Sequence, residues 1–389
     1  MSPQCVLMIF GMLVLLATSA TGADRRITLP FEDYLDRVHG AWLGECAGNM
    51  FGLPHEMKYW EQPGPEIAFR PDYTEGAFSD DDTDIEYVYL HALEEHGLGL
   101  TYEQVAQEWV THIKTKVWVA NARALELMQQ GMLPPATGHP SHNDKAWFNL
   151  AGQFTQELWG MICPGMPATA QRYGDKFAHV SVYGESVLAA HYFDVMYAEA
   201  FFERDINRLV ERGLSALPEG SAYRRIVEDV VRWHREKPGN WRAQRRQMHL
   251  NYSGRWNQNS SVMNGGACTM ALLYGQGDFE KTILLACMIG YDADCNAATT
   301  GGLLGVIHGA SGLPQPWLEP LGDTYVNRTR EGLPHEEKLA AIAARIAALG
   351  RQVIEANGGY CWRDEDGREM LTILRQEPFV ASLDPPVSP

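Results

Sequence analysis

Residues 290–305 read GYDADCNAATTGGLLG: two aspartates, Asp292 and Asp294, one alanine apart, between an apolar run at 283–289 and a segment of small residues. Apolar and small flanks predict that both carboxylates point into the protein. There each needs a partner, a proton or a metal to compensate for lost water. The glycines that follow would let another backbone approach closely. The rest of the chain must supply both the partner for the acids and the neighbour for the glycines.

Two earlier segments answer that description. Residues 40–56, GAWLGECAGNMFGLPHE, carry glycines at 40, 44, 48 and 52. A spacing of four puts them on one face of a helix, smooth enough for a second helix to pack close or for a ligand to lie along it. Close packing is the commoner use. Glu56 follows Pro54, where that helix should stop. Residues 78–87, FSDDDTDIEY, place five acids and two hydroxyls at the start of an amphipathic helix. One or two would suffice to cap it. Three consecutive aspartates repel one another, and a cation is their natural counter-charge.

Elsewhere the periodicity is helical. Ile85, Val88, Tyr89, Ala92 and Leu93 fall at helical spacing, as do Val187, Leu188, Val195, Ala198 and Phe202, and again Leu339, Ile342, Ala343, Ile346 and Val353. Alternation of the strand type is scarce. The expectation is an all-α fold, a single compact orthogonal helical domain of about a dozen helices over residues 24–389, with the tail beyond 357 peripheral apart from Tyr360 to Trp362. Residues 1–23 hold a short apolar run followed by small residues. They read as a secretory signal that lacks a basic leading segment, which predicts a secreted or periplasmic protein. No other stretch is apolar and long enough for stable membrane insertion. A net charge of −17 argues against a nucleic-acid partner, and the basic cluster at 242–246 reads as a solvated helix face. Without any CxxC pair, a thiolate zinc site is not expected.

Hard oxygen donors select Mg²⁺, Mn²⁺ or Ca²⁺ over zinc or copper. Asp80, Asp81 and Asp82 from one helix start, with Asp292 and Asp294 from another, could hold one cation or a close pair. Paired cations suit hydrolysis, because they bind substrate oxygens and acidify a water. The sequence contains no HExxH, GxSxG, Walker A or GxGxxG motif. The turn at Gly184, which opens a long helix, could line a ligand cleft.

Taken together, the three segments resemble the ADP-ribosylglycohydrolase family, an all-helical, dimagnesium group of hydrolases. The likeness runs from about residue 31 to 320 through the Gly-spaced helix ending in Glu56, the acid run at 80–83 and the repeat at 290–305. It implies cleavage of a glycosidic bond at the anomeric carbon of a ribose or related furanoside, small-molecule or protein-linked, with two Mg²⁺ ions. Carried over, the metal ligands are Asp80, Asp81, Asp82, Asp292, Asp294 and Cys295. Glu56 stands beside the ribose as the catalytic group, with Gly184 and Asn296 as further substrate contacts. Three departures stand out. Cys295 replaces a hydroxyl ligand, with Asn296 or a water available to fill in. Asp80 replaces Thr, and Asn49 stands where Asp is common. They leave two alternatives open: a non-catalytic binding or structural member, and an exported furanosidase or nucleosidase that does not act on ADP-ribose.

Overall fold

In the computed structural model, which describes residues 26–70 and 75–385, the four glycines form a bare stripe along α1 (Phe31–Gly52). The segment expected to direct export lies outside the described residues. The helices that follow are α2 (Asp81–His96), α3 (Tyr102–His112), α4 (Val119–Gln129), α5 (Ala151–Phe154), α6 (Glu157–Met161), α7 (Pro167–Ala178) and α8 (Glu185–Ala200). After them come α9 (Ile206–Ser215), α10 (Ala222–Glu236), α11 (Trp241–Tyr252), α12 (Ser261–Gly275), α13 (Phe279–Ile289), α14 (Ala293–His308), α15 (Gln315–Leu318) and α16 (Leu339–Ala356). The all-α expectation holds, and the helix number exceeds a dozen chiefly because α5, α6 and α15 are single turns.

The stripe on α1 packs against α14, and the pairing descends as α1 ascends, so the two run antiparallel. A Cβ added at Gly40 would lie 2.4 Å from the Gly305 carbonyl oxygen, at Gly44 2.2 Å from that of Gly301, and at Gly48 2.1 Å from that of Ala297. These are backbone-to-backbone contacts with no room for a methyl group. At the far end, the Arg37 guanidinium donates to the carbonyls of Val306 and Ile307, which closes the C-terminus of α14 with a positive charge. Every residue of α14 from Ala293 to Ile307 is buried, as is nearly all of α8 and the whole of α12. Helices apolar on all sides belong in the middle, and outer helices such as α9 and α10 bury one stripe only. The apolar core they share extends from Leu29 to Ala381.

Two three-stranded sheets sit at the periphery. One has the order β1 (Arg26–Pro30), β6 (Glu369–Leu374), β5 (Tyr360–Arg363), all antiparallel. In the other, β2 (Ala77–Phe78) runs parallel to β3 (Thr324–Val326), which pairs with β4 (Glu336–Lys338). The tail beyond 357 is nonetheless packed into the fold, though not where expected: Tyr360 and Trp362 are exposed. Leu371, Ile373 and Ala381 are buried, Gln376 accepts from Thr169, and Asp384 accepts from the Gly184 amide (2.8 Å) and from His179 (3.1 Å).

Two consequences can be measured. Gly48→Ala drives a methyl group into a backbone carbonyl and should destabilise the fold by about 3 kcal/mol or more in denaturant titrations. Gly239→Ala, with open space around it, should be near neutral. At His179, burial favours the neutral ring, but Asp384 and Asp175 more than offset it and hold the imidazole above its ordinary range. A histidine raised on folding contributes fully below about pH 6.5 and loses that contribution as pH rises through the folded value. Amide exchange in residues 376–385 should therefore speed up, beyond its intrinsic pH dependence, from pH 6 to 8. Asp384→Asn should remove that excess.

Candidate metal and active site

Because α1 and α14 are antiparallel, the C-terminal end of α1 lies over the N-terminal end of α14. The missing Cβ of Gly52 would sit 2.3 Å from the Asp294 Cα. The chain turns through a 3₁₀ segment at Leu53–His55, and the Met57 amide donates to the Tyr291 carbonyl at 3.0 Å. Met57 and Tyr291 both take left-handed backbone, with φ of 53° and 66°. Such conformations cost on the order of 1 kcal/mol each and persist where surroundings enforce them. Arg245 does much of the enforcing. It is fully buried, donates to the carbonyls of Ile289, Tyr59 and Trp60, and lies 3.9 Å from the Tyr291 ring centre. The basic cluster at 242–246 is thus not simply a solvated face: its central arginine ties the segment after Glu56 to the turn before Asp292.

The third strand of the site arrives through β2. Ser79 donates its amide to the Val326 carbonyl, and α2 begins at the next residues. Asn49, on α1, donates from its amide to Asp82 (2.5 Å) and to Asp80 (3.2 Å), fixing the acid run against α1. Two donor groups result, each with one ligand atom per residue and all atoms within 4.8 Å of one another: Asp81, Asp82, Asp294 and Cys295, and Glu56, Asp292 and Asp294. Asp294 belongs to both. One oxygen each of Asp82, Asp292 and Asp294 is buried without a hydrogen-bond partner. Burial, and then the neighbouring carboxylates, push Asp81, Asp82 and Asp294 well above the usual carboxylate range. Orphaned oxygens converging from two segments, with mutual repulsion, are what a divalent cation neutralises. The donor set fits such ions.

The remaining residues singled out by sequence fall in different places. Asp80 lines the cavity but belongs to neither donor group. Cys295 belongs to the first donor group, and burial followed by the surrounding acids pushes its thiol up. Asn296 lies beneath the cavity. Its amide nitrogen donates to Asn264 (2.8 Å) and the Gly290 carbonyl (3.2 Å), and its oxygen accepts from Gln153 (3.2 Å). Gly184 does not line the cavity; its φ of 61° and its bond to Asp384 serve the docking of the tail.

Sequence reading passed over several residues that matter here. Glu45, Glu86 and Glu157 form a buried acidic layer under the site, with both Glu45 oxygens lacking a partner. Burial raises all three, Glu157 to about 7. Asp84 pairs with the fully buried Arg330 at 2.6 Å. Arg330 also donates to the carbonyls of Thr115 and Lys116, anchoring the loop that carries Trp118. The cavity, about 320 Å³, is walled by Met57, Trp118, Val119, Asn149, Phe154 and Asn259 above the acids. Trp118 is 58% exposed at its rim. No pattern in the sequence marks these wall residues, since they come from loops joined only in the fold.

Comparison with known proteins agrees with the geometry. Over 52 residues the chain is 44% identical to the ADP-ribosylarginine hydrolase Tri1 of Serratia proteamaculans (strain 568), a match spanning 13% of this chain and 14% of that relative. A solved structure described as an ADP-ribosylglycohydrolase-related protein complex superposes with a TM-score of 0.54 at 19% identity, covering 82% of this chain and 99% of the other, which shows the shared fold. The sequence profile of the ADP-ribosylglycohydrolase family matches residues 30–354, and the chain belongs to that family.

Proposed function

We propose that this protein is a glycohydrolase dependent on divalent cations, cleaving the bond at the anomeric carbon of a ribose in an ADP-ribosyl conjugate. The observation that carries the reading is Asp294 shared between two donor groups at the floor of a cavity whose open end holds Glu56. Apart from the Cys295 thiol the donors are oxygens, a set that favours Mg²⁺, with Mn²⁺ next. Bound there, a pair of such ions would polarise vicinal ribose hydroxyls and lower the pKa of a water.

The chain's own groups supply the rest. Asn49 holds Asp80 and Asp82 in place through one amide. Glu56 stands at the cavity rim, where its carboxylate can take a proton from a water; partial desolvation, then Asp292 and Asp80, raise its pKa in the ion-free site. Met57, Val119 and Phe154 present apolar surface that limits water around the reacting bond. ADP-ribosylarginine is the first substrate to try, given the partial likeness to a hydrolase of that name. We also read residues 1–23 as an export signal, which places the substrate outside the cytoplasm.

The tests follow from the roles. In a release assay on ADP-ribosylarginine with Mg²⁺, Glu56→Gln should lower kcat about 10³-fold with little change in KM. Unchanged kcat would remove Glu56 from the chemistry. Asp294→Asn should abolish turnover and shrink the Mg²⁺-induced rise in Tm. The same variant should raise Tm in chelator, because one mutually repelling carboxylate is gone. A wild-type Tm indifferent to Mg²⁺ and Mn²⁺ would refute the proposal.

A further inference from the structure

A second group of potential ligands lies away from the cavity, where α2 meets α3. His91 Nε2, Glu108 Oε2 and His112 Nε2 approach within 4.8 Å of one another. His112 Nε2 is 3.2 Å from Glu108 Oε2, and His91 Nε2 is 3.7 Å from it. Two zinc–ligand bonds of about 2.0–2.1 Å at a tetrahedral angle put ligand atoms about 3.4 Å apart, so this spacing is that of ligands around an ion.

The protons support the same conclusion. His112 Nδ1 lies 2.6 Å from the Glu331 carbonyl oxygen, which can only accept, so Nδ1 carries the hydrogen. That leaves Nε2 turned toward a carboxylate oxygen at 3.2 Å. Glu108 Oε2 has no hydrogen-bond partner, although Glu108 is only 8% exposed. The other oxygen, Oε1, accepts from His96 at 2.9 Å, which fixes the carboxylate plane. A histidine held by a backbone carbonyl and a carboxylate held by a second imidazole are the supports that metal ligands ordinarily have.

We propose that His91, Glu108 and His112 form a site for a transition-metal ion, with Zn²⁺ as the ion of choice, distinct from the acidic cavity. Two imidazoles and one carboxylate are a zinc donor set and a poor one for Mg²⁺. The site is roughly 13 Å along α2 from Asp82, nine residues at 1.5 Å each. It also reaches the loop at the cavity rim. The His112 carbonyl accepts from the Glu331 amide, and Ile113 bridges to Arg330, whose guanidinium holds the Thr115 and Lys116 carbonyls. A bound ion would fasten α2, α3 and the 330–332 turn together beneath Trp118.

The test uses the full chain, stripped with chelator, equilibrated with Mg²⁺ and titrated with ZnCl₂ by calorimetry. Wild type should take up one Zn²⁺ per chain and gain roughly 5 °C in Tm at a hundredfold excess over Kd. His91→Ala and His112→Ala should each weaken uptake at least about 100-fold, the upper end for losing even a supporting residue. His91 is half-buried on the helix surface, so its variant should stay folded, with a Tm in chelator close to wild type. Asp294→Asn should bind Zn²⁺ as wild type does. Cobalt(II) should give the intense visible absorption of a tetrahedral site in wild type and lose it in His91→Ala. Zn²⁺ uptake unaffected by His91→Ala, or lost only with Asp294→Asn, would overturn the proposal, as would no uptake by wild type.

Discussion

Everything at the site depends on two helices touching through their backbones. With glycine at 40, 44, 48 and 52 on α1, and small residues opposite on α14, the axes come closer than side chains would permit. Close approach sums many weak dispersion contacts and leaves no gap for water. It also sets an exact register. Gly52 falls on Asp294, so the turn after α1 can deliver Glu56 to the start of α14 and nowhere else. The glycines pay for this in unfolded-state entropy, and the burial of the whole α1–α14 seam offsets it.

Around that seam the protein concentrates charge it cannot solvate. Asp81, Asp82, Asp292 and Asp294 face a shared space, while Glu45, Glu86 and Glu157 lie directly beneath. The two layers solve the same problem differently. In the lower layer burial and mutual repulsion favour the protonated forms, while Glu86 accepts from the Leu158 amide and Glu157 accepts from Thr299 at 2.7 Å and from the Gln156 amide. The upper layer opens onto a cavity and is arranged for cations. Shifted toward the protonated form, the lower layer adds less repulsion to that arrangement than ionised carboxylates would.

The sequence revealed what is anomalous by itself. Four glycines at intervals of four have a meaning only on a helix, and three successive aspartates demand a counter-charge wherever they sit. Both the all-α fold and the floor of the site were legible for that reason. Arg245 was not, because RAQRR looks solvated until residues 59 and 60, more than 180 positions earlier, bring carbonyls to it. Asn296 and Gly184 have the residue types of substrate contacts, yet Asn264, Gln153 and Asp384 consume their polar groups. The strands were invisible because runs of two to six residues give alternation too little length to register. The imidazole cluster divides its ligands between two helices, so neither segment shows a motif.

Arg330 has a bearing on how a substrate gains access. Its guanidinium is fully buried, pairs with Asp84 in the first turn of α2 and holds two carbonyls of the 115–116 loop. Lifting that loop would cost Arg330 its two buried bonds to the Thr115 and Lys116 carbonyls, which tie the rim to the first turn of α2. Passage is left to the indole of Trp118, which can change rotamer in nanoseconds. If the proposed ribosyl conjugate is the substrate, the arm that carries the ribose has to pass Trp118 to reach the acids, and the rest of the conjugate stays outside the rim.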